Sequence, residues 1–310
     1  MKKLIITLVA AVLGCAIANA QDLNAAAEAF NNGVNANEAG NRELALQSFK
    51  EALAIAETLT DEGAAQIVAN CKTSIPALQL AIAKDAYKES DFDAAIAGLR
   101  ETIEVASKYE NDAIVADAAA LIPQILMNKA NGFYNAKDYA AGVEGYKAVL
   151  AEDPANGTAS LRLGLCYKGL GDKAAAIEAF KAAAENGQAA AANKQASTLY
   201  LQDANANLSA KKYESAITSA LEANKYLENA KSYQIAGTAA SALKKHKDAI
   251  EYFEKYLEIE PKAANATQIC YNIAVSYHQL GDKAKAKEYY QKAVSDPRVG
   301  ASAKKMLEAL

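Results

Sequence analysis

Few residues in this 310-residue chain have the type and spacing needed for catalysis or metal binding. It contains two histidines, His246 and His278, and neither stands at metal-ligand spacing from a cysteine or a carboxylate cluster. We expect both imidazoles to face solvent. No Ser-His-Asp order, nucleophile elbow, glycine-rich phosphate loop or H-E-x-x-H sequence occurs. The sequence therefore predicts no catalytic residue, no metal site and no cofactor.

The cysteines do not have the pattern of a disulfide framework. Cys15 lies in the N-terminal segment, and Cys71, Cys166 and Cys270 follow at intervals of about 100 residues. An odd number at such long spacing is not typical of paired cysteines. Because a free thiol packs as a small apolar group, we expect these three to be buried.

The first twenty residues have the organisation of a secretory signal peptide. Lys2 and Lys3 precede an apolar run over 4–17, and an Ala-x-Ala sequence ends at Ala20. Cleavage after Ala20 predicts an exported protein, periplasmic in the first instance, with outer-membrane attachment or secretion as alternatives. The segment ending at Cys15 also resembles a lipoprotein signal, and only lipidation there would place the protein on a membrane. After the signal we expect no apolar run of spanning length.

The composition indicates a helical protein. The chain is 52% apolar with five prolines and no tryptophan, and alanine, the best helix former, dominates. Removing Lys2 and Lys3 with the signal changes the net charge from −4 to about −6. We find no basic stripe, so a nucleic-acid partner is not predicted.

A helix-pair pattern recurs along the rest of the chain. Its clearest copy places small, apolar and aromatic residues at Leu163, Gly164, Tyr167, Gly171, Ala176, Phe180 and Ala183. Small residues let the two helices cross closely, and aromatic residues fill the gap to the next pair. This pattern resembles the tetratricopeptide repeat (TPR), whose period is about 34 residues. Seven such pairs begin near residues 26, 76, 123, 157, 197, 230 and 267.

The resemblance implies an all-α fold, a right-handed superhelical solenoid of about seven TPR or TPR-like helix pairs with a C-terminal capping helix. We expect one solenoid domain over residues 21–310. Within it, 21–122 has a longer period, 123–297 has regular repeats and 298–310 forms the cap.

The longer period of the first pairs leaves two interpretations open. Their starts lie 50 and 47 residues apart, and Pro76 and Pro123 fall inside apolar, alanine-rich stretches. Either each first helix is lengthened N-terminally and kinked at its proline, or a separate short helix precedes each proline.

The resemblance also implies a binding face on the concave side, lined by fixed first-helix positions. Carried over to this chain, those positions give twelve candidate residues: Lys84, Tyr87, Lys88, Met127, Asn131, Tyr134, Leu161, Leu165, Lys168, Asn205, Tyr271 and His278. Asn131 and Asn205 match the asparagine of the carboxylate clamp known in chaperone-binding TPRs, but Met127 and Leu201 stand where it needs lysine. That clamp is therefore not predicted. The alternative is that these side chains fill the core of a tightly wound superhelix.

These features together predict a noncatalytic scaffold in the bacterial cell envelope that binds a protein or a peptide. One alternative is a structural component that self-associates into a homo-oligomer, using the apolar face of Met306, Leu307 and Leu310. The other is a glycan- or peptidoglycan-binding module that uses Tyr87, Tyr134 and Tyr271 to stack on sugars.

Overall fold

The computed structural model describes the backbone of residues 17–310 and the side chains of residues 21–310. Within that part of the chain all regular structure is helical, and no strand occurs. The helices are α1 (Ile17–Glu38), α2 (Arg42–Ala56), α3 (Glu62–Lys88), α4 (Phe92–Lys108), α5 (Asp112–Asn135), α6 (Tyr139–Glu152), α7 (Gly157–Leu170), α8 (Lys173–Ala183), α9 (Ala189–Ser209), α10 (Tyr213–Tyr226), α11 (Ala230–Ala242), α12 (His246–Ile259), α13 (Ala266–Gln279), α14 (Lys283–Ala293) and α15 (Gly300–Glu308). A π-helical turn, Ala184–Gln188, joins α8 to α9.

The turns between first and second helices repeat with the register predicted from the sequence. Each contains one residue with positive φ, fourteen residues after the predicted start of its pair: Gly40, Ser90, Lys137, Gly171, Lys211, Lys244 and Gly281. A left-handed residue ends a helix and frees the chain to reverse direction. After the glycines at 171 and 281, an aspartate caps the next helix by accepting from a backbone N–H. The seven predicted pairs are therefore present.

Small residues of the first helices face large residues of the second helices. Gly33 lies against Phe49, Gly164 against Phe180 and Gly237 against Phe253. A Cβ atom on any of these glycines would come within 2.8 Å of the opposing ring. In each pair the aromatic ring thus packs directly on the backbone of the first helix. The rings of Phe49, Phe180 and Phe253 are all buried.

The described residues divide into two compact units. Unit 1 extends to Ala136 and includes 151–153, and unit 2 contains 137–150 and the residues from Pro154 onward. In unit 1, α1 to α5 pack in chain order. Its first core includes Phe30 and Phe49, whose ring centroids lie 5.1 Å apart.

Unit 2 repeats the same arrangement. The pairs α7–α8, α9–α10, α11–α12 and α13–α14 each pack closely, and each second helix also packs against the next first helix. Helix α15 lies on α14, with Met306, Leu307 and Leu310 half-buried against Tyr290 and its neighbours. These side chains therefore cover the last apolar face, as predicted for a capping helix. The extent of the predicted single solenoid domain, 21–310, stays a prediction.

The two long first helices are continuous. Helix α3 has Pro76 in its interior and α5 has Pro123 in its interior, so the lengthened-helix interpretation is confirmed over a separate short helix. Helix α9 also begins earlier than expected, eight residues before the predicted start at Ser197. The predicted signal peptide lies outside the described residues, apart from 17–20 at the start of α1.

Helix α5 corrects the expectation that no second stretch of spanning length exists. By length and composition alone it could cross a membrane, with a mean hydropathy of 1.2 in its most apolar window. A core helix of an ordinary globular protein passes the same test, so this one helix is weak support for a span. Ile122 and Ile125 of α5 lie in a core cluster with Leu80 and Leu99.

Candidate functional site

The twelve predicted binding residues lie neither in the core nor, for the most part, in open solvent. Lys88 and Asn205 are exposed, and the other ten side chains are half-buried. They belong to two groups, one in each unit.

In unit 1, the candidate residues lie on α3 and α5. The Tyr87 ring packs on Phe92, with centroids 6.1 Å apart, and the Tyr87 hydroxyl accepts a hydrogen bond from the amide of Asn128. This bond joins α3 to α5 beside Met127 and Asn131. Sequence reasoning missed Asn128, although its position next to Met127 on a first helix could have indicated it.

The lysines of this group differ in their partners. Lys88 Nζ donates to Asp85 Oδ1 at 2.7 Å, and Arg42 also pairs with Asp85. The Lys88 hydrogen bond, followed by the nearby positive charges, lowers the pKa of the Asp85 carboxyl. Lys84 has no carboxylate partner among the described residues. Its side chain is half-buried.

In unit 2, α7 supplies Leu161, Leu165 and Lys168. The two leucines pack on the cluster that contains Phe180 and Leu199. Lys168 Nζ donates to Gln195 Oε1 of α9 at 2.9 Å. Asn205 Nδ2 donates to the carbonyl of Leu201 in its own helix at 2.9 Å, and the amide keeps a second N–H donor and its oxygen acceptor.

Tyr271 and His278 of α13 both lie against the ring of Tyr290. The ring centroids are 5.6 Å and 6.4 Å from that of Tyr290, with edge-on geometry. His278 is half-buried and its Nδ1 atom is buried, so the expectation that it faces solvent is wrong. The ring contacts of these two residues support the packing of α13 on α14.

One polar cluster was not predicted. Glu254 Oε1 of α12 accepts hydrogen bonds from the hydroxyls of Tyr277 and Tyr289, at 3.2 Å and 3.0 Å. The two tyrosine rings stack with centroids 5.8 Å apart. Burial, and then the bond to Glu254, raises the pKa of Tyr289. The cluster ties three consecutive helices together and is structural.

The three cysteines are buried free thiols, as predicted. Burial raises the pKa of Cys71 to about 12 and that of Cys166 to about 11, so neither forms a thiolate near neutral pH. Among the described residues, no group of three or more histidine, cysteine or acidic side chains is placed to hold a metal ion.

Comparison with known families agrees with this geometry. Two family models described as tetratricopeptide repeat match the sequence, one over residues 127–193 and one over 230–262 and 267–295. This chain contains tetratricopeptide repeats. The TPR matches cover α6 to α8, α11, α12, α14, all but the first residue of α13, and parts of α5 and α9, and neither model describes an enzyme.

Other comparisons add only distant likenesses. A search of curated proteins finds no match. A structure of MamA is 24% identical, over 59% of this chain and 96% of that one, with a TM-score of 0.36. YrrB, described as a TPR protein with an unusual peptide-binding site, is 19% identical over 58% and 91%, with a TM-score of 0.33. Pseudomonas aeruginosa PilF is 18% identical over 62% and 92%, with a TM-score of 0.29.

Proposed function

We propose that this protein is a noncatalytic scaffold that binds another protein, or a peptide from it, through the first-helix side chains of its repeats. The observation that carries the proposal is that none of the twelve predicted side chains is fully buried, although their helices belong to the core. TPR arrays commonly present such a surface to a partner.

The chemistry of these side chains suits an extended polypeptide. In unit 1, Met127 and Tyr134 offer apolar and aromatic area, which supplies most of the energy in protein interfaces. Asn131 on the same helix and Lys84 on α3 are polar residues of the kind that contact a peptide, since asparagine amides can pair with its backbone.

We place this function in the bacterial cell envelope. The support is the signal-like sequence of the first twenty residues, and it is sequence support alone. Edman sequencing of the protein purified from cells should give Gln21 as the first residue. A blocked, lipid-bearing Cys15 would instead support membrane attachment.

Affinity capture from an envelope extract tests the scaffold role. Full-length protein should retain a specific protein, and a variant with Asn131→Ala and Tyr134→Ala should lose it. A control variant with Lys181→Gln, on a second helix, should retain the protein. Melting temperatures within about 5 °C of the parent protein would show that the loss is not unfolding.

Two results would contradict the proposal. One is equal retention by the Asn131/Tyr134 variant and the parent protein. The other is capture of no protein together with turnover of a small molecule by the purified chain, which would indicate an enzyme.

A further inference from the structure

Acidic side chains in unit 2 are distributed unequally between the two kinds of helix. The first helices α7, α9, α11 and α13 contain one carboxylate, Asp203, and it is paired with Lys173. Every second helix, from α8 to α14, contains at least one, and α12 contains four. Within unit 2, carboxylates are thus nearly absent from the first helices, although the chain as a whole has a net charge of −4.

Lys168 and Lys231 of the first helices have different partners from three lysines of the second helices. On the second helices, Lys181, Lys225 and Lys255 each pair with a glutamate one turn away, at 2.5–2.9 Å. On the first helices, Lys168 donates to the amide oxygen of Gln195 at 2.9 Å, and Lys231 to that of Gln234 at 3.1 Å. Neither first-helix ammonium has a carboxylate within 4.0 Å among the described residues. In the described part of the chain, both ammonium groups thus have a neutral amide oxygen as partner instead of a carboxylate.

The first helices that carry these lysines are connected to one another through α9. The Lys168–Gln195 bond joins α7 to α9, and α9 packs directly against α11, which carries Lys231. Lys194 of α9 is exposed and, among the residues the structure describes, forms no ion pair, so it adds a further cation to the layer. We call α7, α9 and α11 together the first-helix layer of unit 2.

We propose that the first-helix layer of unit 2 binds an extended acidic peptide segment, whose carboxylates replace the glutamine amides as partners of Lys168 and Lys231. This inference rests on the scaffold function and specifies its partner. An ammonium that exchanges a neutral amide oxygen for a carboxylate gains a charge-assisted hydrogen bond. The displaced amides of Gln195 and Gln234 can then bond the peptide backbone.

A peptide fits this layer better than a nucleic acid. The candidate residues on α7 beside Lys168 are leucines, Leu161 and Leu165. Two aromatic rings of the same cluster, Tyr200 and Tyr226, stack on each other with centroids 5.7 Å apart, so they are already engaged and do not offer a free platform for bases. The cations are few, whereas nucleic-acid affinity comes mainly from neutralising many phosphates. Leucines beside isolated lysines match a peptide that alternates apolar and acidic side chains.

Selection from a random 12-residue peptide library on the full-length protein tests the inference. The fraction of Asp and Glu in the bound pool should rise at least about twofold over the starting library, because complementary charge governs partner choice. For a synthetic peptide from that pool, Lys168→Gln combined with Lys231→Gln should weaken binding about tenfold, as expected for two exposed charge pairs. Lys181→Gln with Lys255→Gln is the matched control and should leave the affinity unchanged.

The possible outcomes of this experiment distinguish a failure of the acidic-peptide proposal from a failure of the scaffold proposal. Bound peptides without acidic enrichment, or equal losses in the two double variants, would overturn the acidic preference and leave peptide binding intact. A library that yields no bound pool would count against both. A single-stranded DNA that displaces the peptide and binds more tightly would overturn the choice of partner. Lys168→Arg, which keeps the charge, should retain binding, and its failure to do so would indicate a packing role for Lys168.

Discussion

Gly164 sets how closely one helix pair can cross. A Cβ at this position would lie 2.5 Å from Cε1 of Phe180, so Gly164→Ala must displace the ring or the helix. We predict that this substitution lowers the free energy of unfolding by about 1–3 kcal/mol, the usual cost of overpacking. Gly132→Ala is the control, because nothing lies within 4 Å of its added Cβ. It should be neutral or stabilise the helix by about 0.5–1 kcal/mol. Urea denaturation measures both, and equal effects would show that close crossing is not the reason for glycine at 164.

Phe180 and Tyr134 distinguish a core position from a binding position. Phe180 is 1% exposed, and Phe180→Ala should cost about 3–5 kcal/mol in the free energy of unfolding. Tyr134 is half-buried, and Tyr134→Ala should cost much less. Tyr167, which the repeat pattern predicts to be as buried as Phe180, is also half-buried, so its substitution should fall between the two. If the melting temperature falls as far for Tyr134→Ala as for Phe180→Ala, the first-helix face is core and the proposed binding face is wrong.

At the scale of the helix, Asp296 holds the capping helix on the array. This side chain is 6% exposed. Its Oδ1 accepts from the backbone N–H groups of Arg298 and Val299 at 2.7 Å and 3.1 Å, and its Oδ2 accepts from Thr267 Oγ1 at 2.6 Å. The Thr267 bond, and then the bond from the Arg298 N–H, lowers the pKa of this carboxyl. Helix α15 is thus tied to the start of α13 by one ionised group.

The lowered pKa gives a pH dependence with a definite sign. The folded pKa lies below the unfolded value of about 3.9, so the stability that the ionised group adds is complete above that pH. It is lost as the pH falls through the folded pKa. Asp296→Asn should therefore lower the melting temperature at pH 7, and its difference from the parent protein should shrink below about pH 4. Glu308→Gln, an exposed control on α15, should show no such convergence. A constant difference from pH 7 to pH 3 would contradict the assignment.

The sequence predicted those helix pairs whose small and aromatic residues occur at the repeat spacing. Small residues and aromatics at repeat spacing identified pairs such as α7–α8 and α13–α14, because each position has one packing role. It did not decide between one long helix and two short ones at Pro76 and Pro123, because a proline is compatible with either a kink or a boundary. Nor did it indicate the π-helical turn before α9, where Gly187 adopts φ +87°.

At the scale of the whole molecule, the sequence predicted which helix positions form the candidate binding face, but not which side chains on that face bond to each other. First-helix positions could be assigned from the repeat register alone. The bond between Asn128 and Tyr87, and the pairing of Lys168 with Gln195, depend on how neighbouring repeats are offset. Side-chain pairs that join residues 27 or 41 positions apart leave no local signal in one sequence. Packing within one helix pair places His278 of α13 against Tyr290 of α14, which is why its expected exposure was wrong.

Cross-linking in intact cells tests the central claim most directly. A photoreactive amino acid is placed at Tyr134, on a first helix of unit 1, and in a separate strain at Glu178, an exposed residue on second helix α8. Adducts are then identified by mass spectrometry. The scaffold account predicts that position 134 captures one protein reproducibly and that position 178 does not. Adducts from position 178 alone, with none from 134, would contradict it.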